Sequence, residues 1–151
     1  GARVDVGAAS AIQGIDATLT YATAAPAVVS ATDGDYADRV AISWDPVPGA
    51  ASYQVYRADV AGGAATSLGP WQPGLSFNDP GTLPTRTYHY TVRAAVGAAG
   101  ERPSALSPVD EGWRALTAPT GVAATDGAFF GNVTVTWQAV PGATGRAGAS
   151  R

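Results

Sequence analysis

Three aspartates crowd one short stretch, TDGDYAD, at Asp33, Asp35 and Asp38. Oxygen donors at alternate positions, with a glycine at the sharp bend, are what a calcium loop requires. The set is incomplete here, and the related stretch TDGAFF keeps only Asp126. Asp and Gly also suit a tight turn that binds nothing, and the turn is the preferred reading. His89 is the sole histidine, and it lies between Tyr88 and Tyr90. On a strand it faces away from both, so a solvent-facing strand position is expected. Without a second His or any Cys, neither a metal site nor a catalytic triad is expected. No serine sits in a nucleophile-elbow motif. Gly62-Gly63 lacks the phosphate-binding lysine of a P-loop, and the chain has no lysine at all. Trp71 (GPWQPG) and Trp113 (EGWRAL) stand in loop or boundary contexts. They could stack on sugar rings, but packing against the module is preferred. Asn132-Val-Thr134 matches a glycosylation sequon, discounted because it falls in a predicted strand. No catalytic residue, cofactor or metal ligand is assigned, and the chain is expected not to be an enzyme.

Composition bounds the partners. A net charge of -3 over 151 residues argues against nucleic acid, which calls for a basic face. A hydrophobic fraction of 46% with 14% charged residues fits a folded chain, although much of the apolar share is alanine. No cysteine is present, so no disulfide can form. All nine basic residues are arginine, read as codon bias in a GC-rich genome. No signal peptide is visible, and no apolar run approaches the length of a membrane span, so no membrane insertion is expected.

The elements that would position these residues are strands. Arg39–Asp45 alternates Val40, Ile42 and Trp44 against Ala41 and Ser43, the period-two pattern of a half-buried strand. The proline-rich PVPGA ends it, because proline cannot donate to a ladder. Ser52–Arg57 places Tyr53 and Val55 on one face. Arg86–Val96 is the longest alternating run, with Tyr88, Tyr90, Val92 and Ala94 together. Thr66–Leu68, Leu75–Phe77 and Ala105–Val109 are further strand candidates, bounded by turn residues. Helical periodicity is not evident. Short strands at turn-bounded intervals imply a sandwich or barrel.

The strongest signal is an internal repeat. Ala25–Ala50 reads APAVVSATDGDYADRVAISWDPVPGA, and Ala118–Ala143 reads APTGVAATDGAFFGNVTVTWQAVPGA. They align without a gap at an offset of 93 residues, with 13 identities in 26 positions, including Trp44/Trp137 and the shared VPGA. Such a unit has the size of one small sandwich domain.

The Trp44 strand, the GAASYQVYR run and the Leu83…Tyr88-His-Tyr90-Thr-Val92-Arg-Ala94 run resemble the fibronectin type III family, most closely its tandem bacterial versions. The family usually has a leucine six residues before the corner tyrosine; here Leu83 stands five before Tyr88. Its adhesive Arg-Gly-Asp is absent, and the corresponding loop reads VGAAGERPSA. The resemblance implies an all-β, antiparallel, seven-stranded immunoglobulin-like sandwich over residues 25–117. Its core would hold Val40, Ile42, Trp44, Tyr53, Val55, Tyr88, Tyr90 and Val92. Residues 118–151 would begin a second, incomplete repeat of two strands, leaving Val122, Val133, Val135 and Trp137 exposed. Residues 1–24 would be a strand segment of a neighbouring or split module, with Val4 and Val6 alternating and then Ile15, Ala17, Leu19 and Tyr21. Unpaired strand edges invite another chain. One expectation is therefore head-to-tail completion of the half-module by the N-terminal strands of a second copy. The other is that the fragment belongs to a longer tandem array. Expected partners are copies of the chain, adjacent modules or a polysaccharide. The expected location is extracellular or at the cell surface.

Overall fold

The computed structural model describes residues 23–125 and 131–144. Nine strands follow one another among them: β1 (Val29–Ala31), β2 (Val40–Trp44), β3 (Ser52–Ala58), β4 (Thr66–Ser67), β5 (Ser76–Asp79), β6 (Tyr88–Ala95), β7 (Asp110–Gly112), β8 (Ala123–Ala124) and β9 (Val135–Thr136). No helix occurs among the described residues. The strands form a three-stranded sheet in the order β1-β2-β5 and a four-stranded sheet in the order β4-β3-β6-β7. A separate two-stranded sheet is formed by β8 and β9. Every strand pairing is antiparallel.

The first two sheets close on each other because each presents one apolar face. Val40, Ile42 and Trp44 point inward from β2, Tyr53 and Val55 from β3, and Tyr88, Tyr90, Val92 and Ala94 from β6. Full burial of each large side chain contributes about 1.5–3 kcal/mol. The Trp44 and Tyr53 rings meet across the sandwich at 5.7 Å and 52°. The Tyr53 hydroxyl accepts the Val47 N–H at 2.8 Å, which fixes the PVPGA turn against the core. In the longest pairing Val55 lies opposite Val92 and Tyr53 opposite Ala94, so one register sets both inner faces.

The last strand of the sandwich is not where the alternation of Ala105–Val109 places it. That stretch carries no strand, and β7 occupies Asp110–Gly112 instead. Pro103 and Pro108 bracket the segment and have no N–H to give a ladder. Two serines replace it. Ser104 and Ser107 donate their backbone N–H groups to the Ala94 and Val92 carbonyls. Their hydroxyls accept the Ala94 and Val92 N–H groups at 3.0 and 2.9 Å. Those hydroxyls supply what neighbouring backbone carbonyls would in a regular strand. The strand candidates at Thr66–Leu68 and Leu75–Phe77 are each shifted at one or both ends, to Thr66–Ser67 and Ser76–Asp79.

Candidate functional site

One end of the sandwich holds its densest polar cluster, and the groups in it are paired with each other. Asp79, at the end of β5, is buried. Its carboxylate accepts from Arg57 Nη1 at 2.8 Å, the Tyr90 hydroxyl at 3.1 Å and the Gly81 N–H at 2.9 Å. Around it, the Arg57 guanidinium lies 4.8 Å from the Tyr88 ring centre and that of Arg86 5.1 Å. Asp59 pairs with Arg86 at 3.2 Å. Burial pushes the Tyr90 hydroxyl above the ordinary tyrosine range, and the adjacent Asp79 charge and hydrogen bond push it further. For Arg57, burial pulls downward, but the hydrogen bond and charge of Asp79 outweigh it and leave the guanidinium raised. The cluster is a structural ion pair whose carboxylate accepts three hydrogen bonds. It leaves no free base or nucleophile aimed at a cleft.

The acidic turn is built around a tryptophan. Gly34 has φ +80, and a Cβ there would stand 2.4 Å from the Trp113 ring. Only glycine fits both the left-handed backbone and the close approach. Trp113 donates its N–H to the Thr32 carbonyl and accepts from the Gly34 N–H. Asp38 pairs with Arg39 at 3.1 Å, and Arg39 stacks on Tyr36 at 3.8 Å. Asp33, Asp35 and Asp38 do not converge: no group of three His, Asp or Glu side chains is placed to hold an ion among the described residues. Beyond Trp113, Arg114 donates to the Thr82 carbonyl at 2.7 Å and to the Ala37 carbonyl. Ala115 donates to Tyr36. The chain leaving the sandwich is thus clamped between the acidic turn and the Thr82–Thr85 loop.

Trp71 is half-buried and lies on Gly100 of the β6–β7 connection, where a Cβ would stand 2.2 Å from its indole nitrogen. His89 does face outward from the four-stranded sheet, but its side chain keeps only 12% of its exposure, and Nδ1 is 3.4 Å from Glu111 of β7. It is covered rather than solvent-facing, because β7 runs directly beside it with His89 opposite Glu111. The discounted sequon also reads differently in three dimensions. Asn132 is exposed and precedes β9, so no strand shields it.

The second repeat differs most from the first in exposure. Val40, Ile42 and Trp44 are 0%, 1% and 5% exposed, whereas their equivalents Val133, Val135 and Trp137 are 59%, 47% and 48% exposed. Val135, Thr136, Trp137 and Ala139 line a shallow open depression. Ile15, Leu19 and Tyr21 lie outside the described residues.

No family model and no curated protein matches the chain. Solved structures do. A Fn3-like protein from Clostridium thermocellum is 26% identical, with a TM-score of 0.55 over 62% of this chain and 94% of that one. A β-1,2-glucanase from Parabacteroides distasonis is 19% identical, with a TM-score of 0.53 over 65% of this chain and 14% of that one. The chain has a fibronectin type III fold. The corner of this fibronectin type III sandwich is closed by the Tyr88 hydroxyl, which accepts the Leu83 N–H at 3.0 Å. Leu83 itself is 57% exposed, and the buried position six residues before Tyr88 is held by Thr82. Sequence reasoning singled out none of Arg57, Asp79, Ser104 or Ser107. An arginine continuing the inward face of Tyr53 and Val55 was the available signal, because a charge there needs a buried partner.

Proposed function

We propose that the chain is a non-catalytic structural or adhesive module of an extracellular bacterial surface or filament protein, assembling head to tail through the exposed face of its second repeat. The observation that carries this reading is the uncovered set Val133, Val135 and Trp137, whose repeat equivalents form the core of the sandwich. Exposed core-type side chains on a short strand pair mark an interaction surface. The side chains best suited to chemistry support the same reading, since Arg57, Asp79, Tyr90 and Trp113 are engaged in holding the fold. Fibronectin type III domains are generally non-catalytic modules, and the placement outside the cell rests on the resemblance to tandem bacterial modules. Sedimentation velocity over a concentration series, with electron microscopy of the material, tests the assembly. Concentration-dependent multimers or fibres are expected, and single particles throughout would overturn it.

A second reading is an accessory spacer or carbohydrate-binding module of a secreted polymer-degrading enzyme. The fold's presence in 14% of the Parabacteroides distasonis glucanase favours it, as does the partial exposure of Trp71 and Trp113. Polysaccharide titrations followed by tryptophan fluorescence separate the two readings. Saturable quenching supports the accessory role, and no response across many glycans favours the structural one.

A further inference from the structure

We propose that Pro84 and Leu116 form a docking ledge for the Val140–Ala143 turn of the adjoining repeat, so that the two repeats meet at a fixed angle. The inference goes beyond the assembly reading above, because it concerns contacts within one chain and stands whether or not copies associate. The sequence VPGA occurs once in each repeat, at Val47–Ala50 and Val140–Ala143. Both copies make the same turn. Ala50 donates to the Val47 carbonyl at 3.0 Å, and Ala143 to the Val140 carbonyl at 3.1 Å. Gly49 has φ +79 and Gly142 φ +86, the left-handed value that a type II turn needs after its proline. Turn chemistry therefore accounts for the recurrence of Pro-Gly. It does not account for what the second turn touches. A Cβ on Gly142 would stand 3.4 Å from Leu116 Cδ2 and 3.7 Å from Pro84 Cβ, both outside the repeat that carries the turn. Among the described residues nothing lies within 4 Å of that position on Gly49, so the tip does no packing inside its own repeat.

The ledge is held by backbone bonds. Pro84 and Arg114 are bridged in parallel, and the Thr85 N–H donates to the Arg114 carbonyl at 2.8 Å. Arg114 reaches back to the Thr82 carbonyl at 2.7 Å, and the Ala115 N–H donates to the Tyr36 carbonyl at 2.8 Å. Leu116 follows directly and is half-buried, as is Pro84. Only residues 117–119 separate it from Thr120, whose carbonyl takes the Gln138 N–H at 2.8 Å within the second repeat. Three extended residues span about 10 Å. Pro119 fixes its own φ and restricts Ala118 before it. The contact alone is small. Two separate molecules need about 800 Å² per partner, far more than one turn against two side chains supplies. Here the clamped exit and the short linker hold the turn near the ledge, so little apolar surface is needed to seat it. The partner this ledge fits is a proline-glycine turn, whose tip carries no side chain to hold the surfaces apart.

Because the chain has no cysteine, engineered disulfides in the full chain test the contact. Pro84→Cys with Gly142→Cys places the two Cβ atoms 3.7 Å apart, within the range a disulfide requires. The control joins Pro84→Cys with Gly131→Cys. Gly131 belongs to the same repeat as Gly142 and has a matching φ of +90, but nothing lies within 4 Å of its Cβ position. In dilute protein under mild oxidant, the 84–142 pair is expected to close about tenfold faster than the 84–131 pair, since a tether alone only raises the local thiol concentration to the millimolar range. Thiol titration gives the rates, and intact mass separates closure within one chain from linkage between chains. Equal rates for the two pairs would mean a swinging tether and overturn the proposal. Leu116→Ser, added to both pairs, is expected to bring the two rates together. A preference for position 142 that persists in that background also overturns the ledge. Sedimentation velocity of the wild-type chain reads the assembly separately. A monomer whose variants keep the tenfold preference leaves the docking intact, and multimers without that preference overturn the docking alone.

Discussion

At the scale of single residues, the Asp79 cluster decides both stability and its response to pH. Asp79→Ala would leave the Arg57 charge and the Tyr90 hydroxyl without their shared acceptor. Breaking a buried pair on one side costs about 3 kcal/mol, read as a lower urea midpoint at unchanged slope. Tyr90→Phe keeps the Arg57–Asp79 pair and is expected to cost about 1 kcal/mol at neutral pH. The two proteins then diverge in alkali. The Tyr90 hydroxyl is held protonated in the folded state, while in the unfolded chain it ionises near pH 10. Below that pH both states carry the proton and the stabilisation is complete. Above it the folded state binds more protons than the unfolded one, so stability falls as pH rises. Tyr90→Phe lacks this loss, and its deficit against wild type should shrink above about pH 10 in parallel urea titrations. A deficit that stays constant to pH 11 would contradict the role given to this hydroxyl. The sequence showed Tyr90 as one of four inward aromatics but not its partner. Asp79 precedes Pro80-Gly81 and reads locally as a turn residue; its burial comes from β5 pairing with β2 and facing β6.

At the scale of elements, alternation reported the faces correctly wherever a strand is hydrogen-bonded on both sides. Val40, Ile42, Trp44, Tyr53 and Val55 all lie in the buried cluster. Alternation misled at Ala105–Val109, because period two in apolarity does not show which backbone groups can pair. The PSALSP stretch is held to β6 by hydroxyls as much as by carbonyls. Ser107→Ala would leave the Val92 N–H without an acceptor inside the sandwich. An unpaired buried donor costs about 1–3 kcal/mol. Hydrogen exchange should show the Val92 amide losing protection in this variant while the Val55 amide, on the neighbouring strand, keeps its own. Equal loss at both amides would mean that the serine acts through global stability rather than at this bond. The acidic turn was legible in the same limited sense. TDG announced a bend, whereas its fit to Trp113 joins positions 79 residues apart in sequence and shows only in three dimensions.

At the scale of the whole molecule, the two copies of the repeated stretch share half their residues in different surroundings, so equivalent substitutions should have unequal consequences. Ile42 and Val135 occupy the same repeat position, one 1% and the other 47% exposed. Ile42→Ala removes buried methyl groups between two packed sheets and should cost about 2–5 kcal/mol. Val135→Ala removes a side chain that the described structure leaves in water, and should change stability by less than about 0.5 kcal/mol in dilute protein. The comparison becomes more telling as concentration rises. If the exposed face of the second repeat is covered by another chain, Val135 becomes buried only in the assembled state. Val135→Ala should then lower the thermal midpoint at high concentration and not at low, because binding partners stabilise by mass action. Ile42→Ala should lower the midpoint by a similar amount at both concentrations, since its surroundings come from its own chain. Differential scanning calorimetry of the wild type and both variants at two concentrations gives all six midpoints. A Val135→Ala penalty independent of concentration would mean that this side chain is covered within its own chain, and the exposed face would lose its role in joining copies.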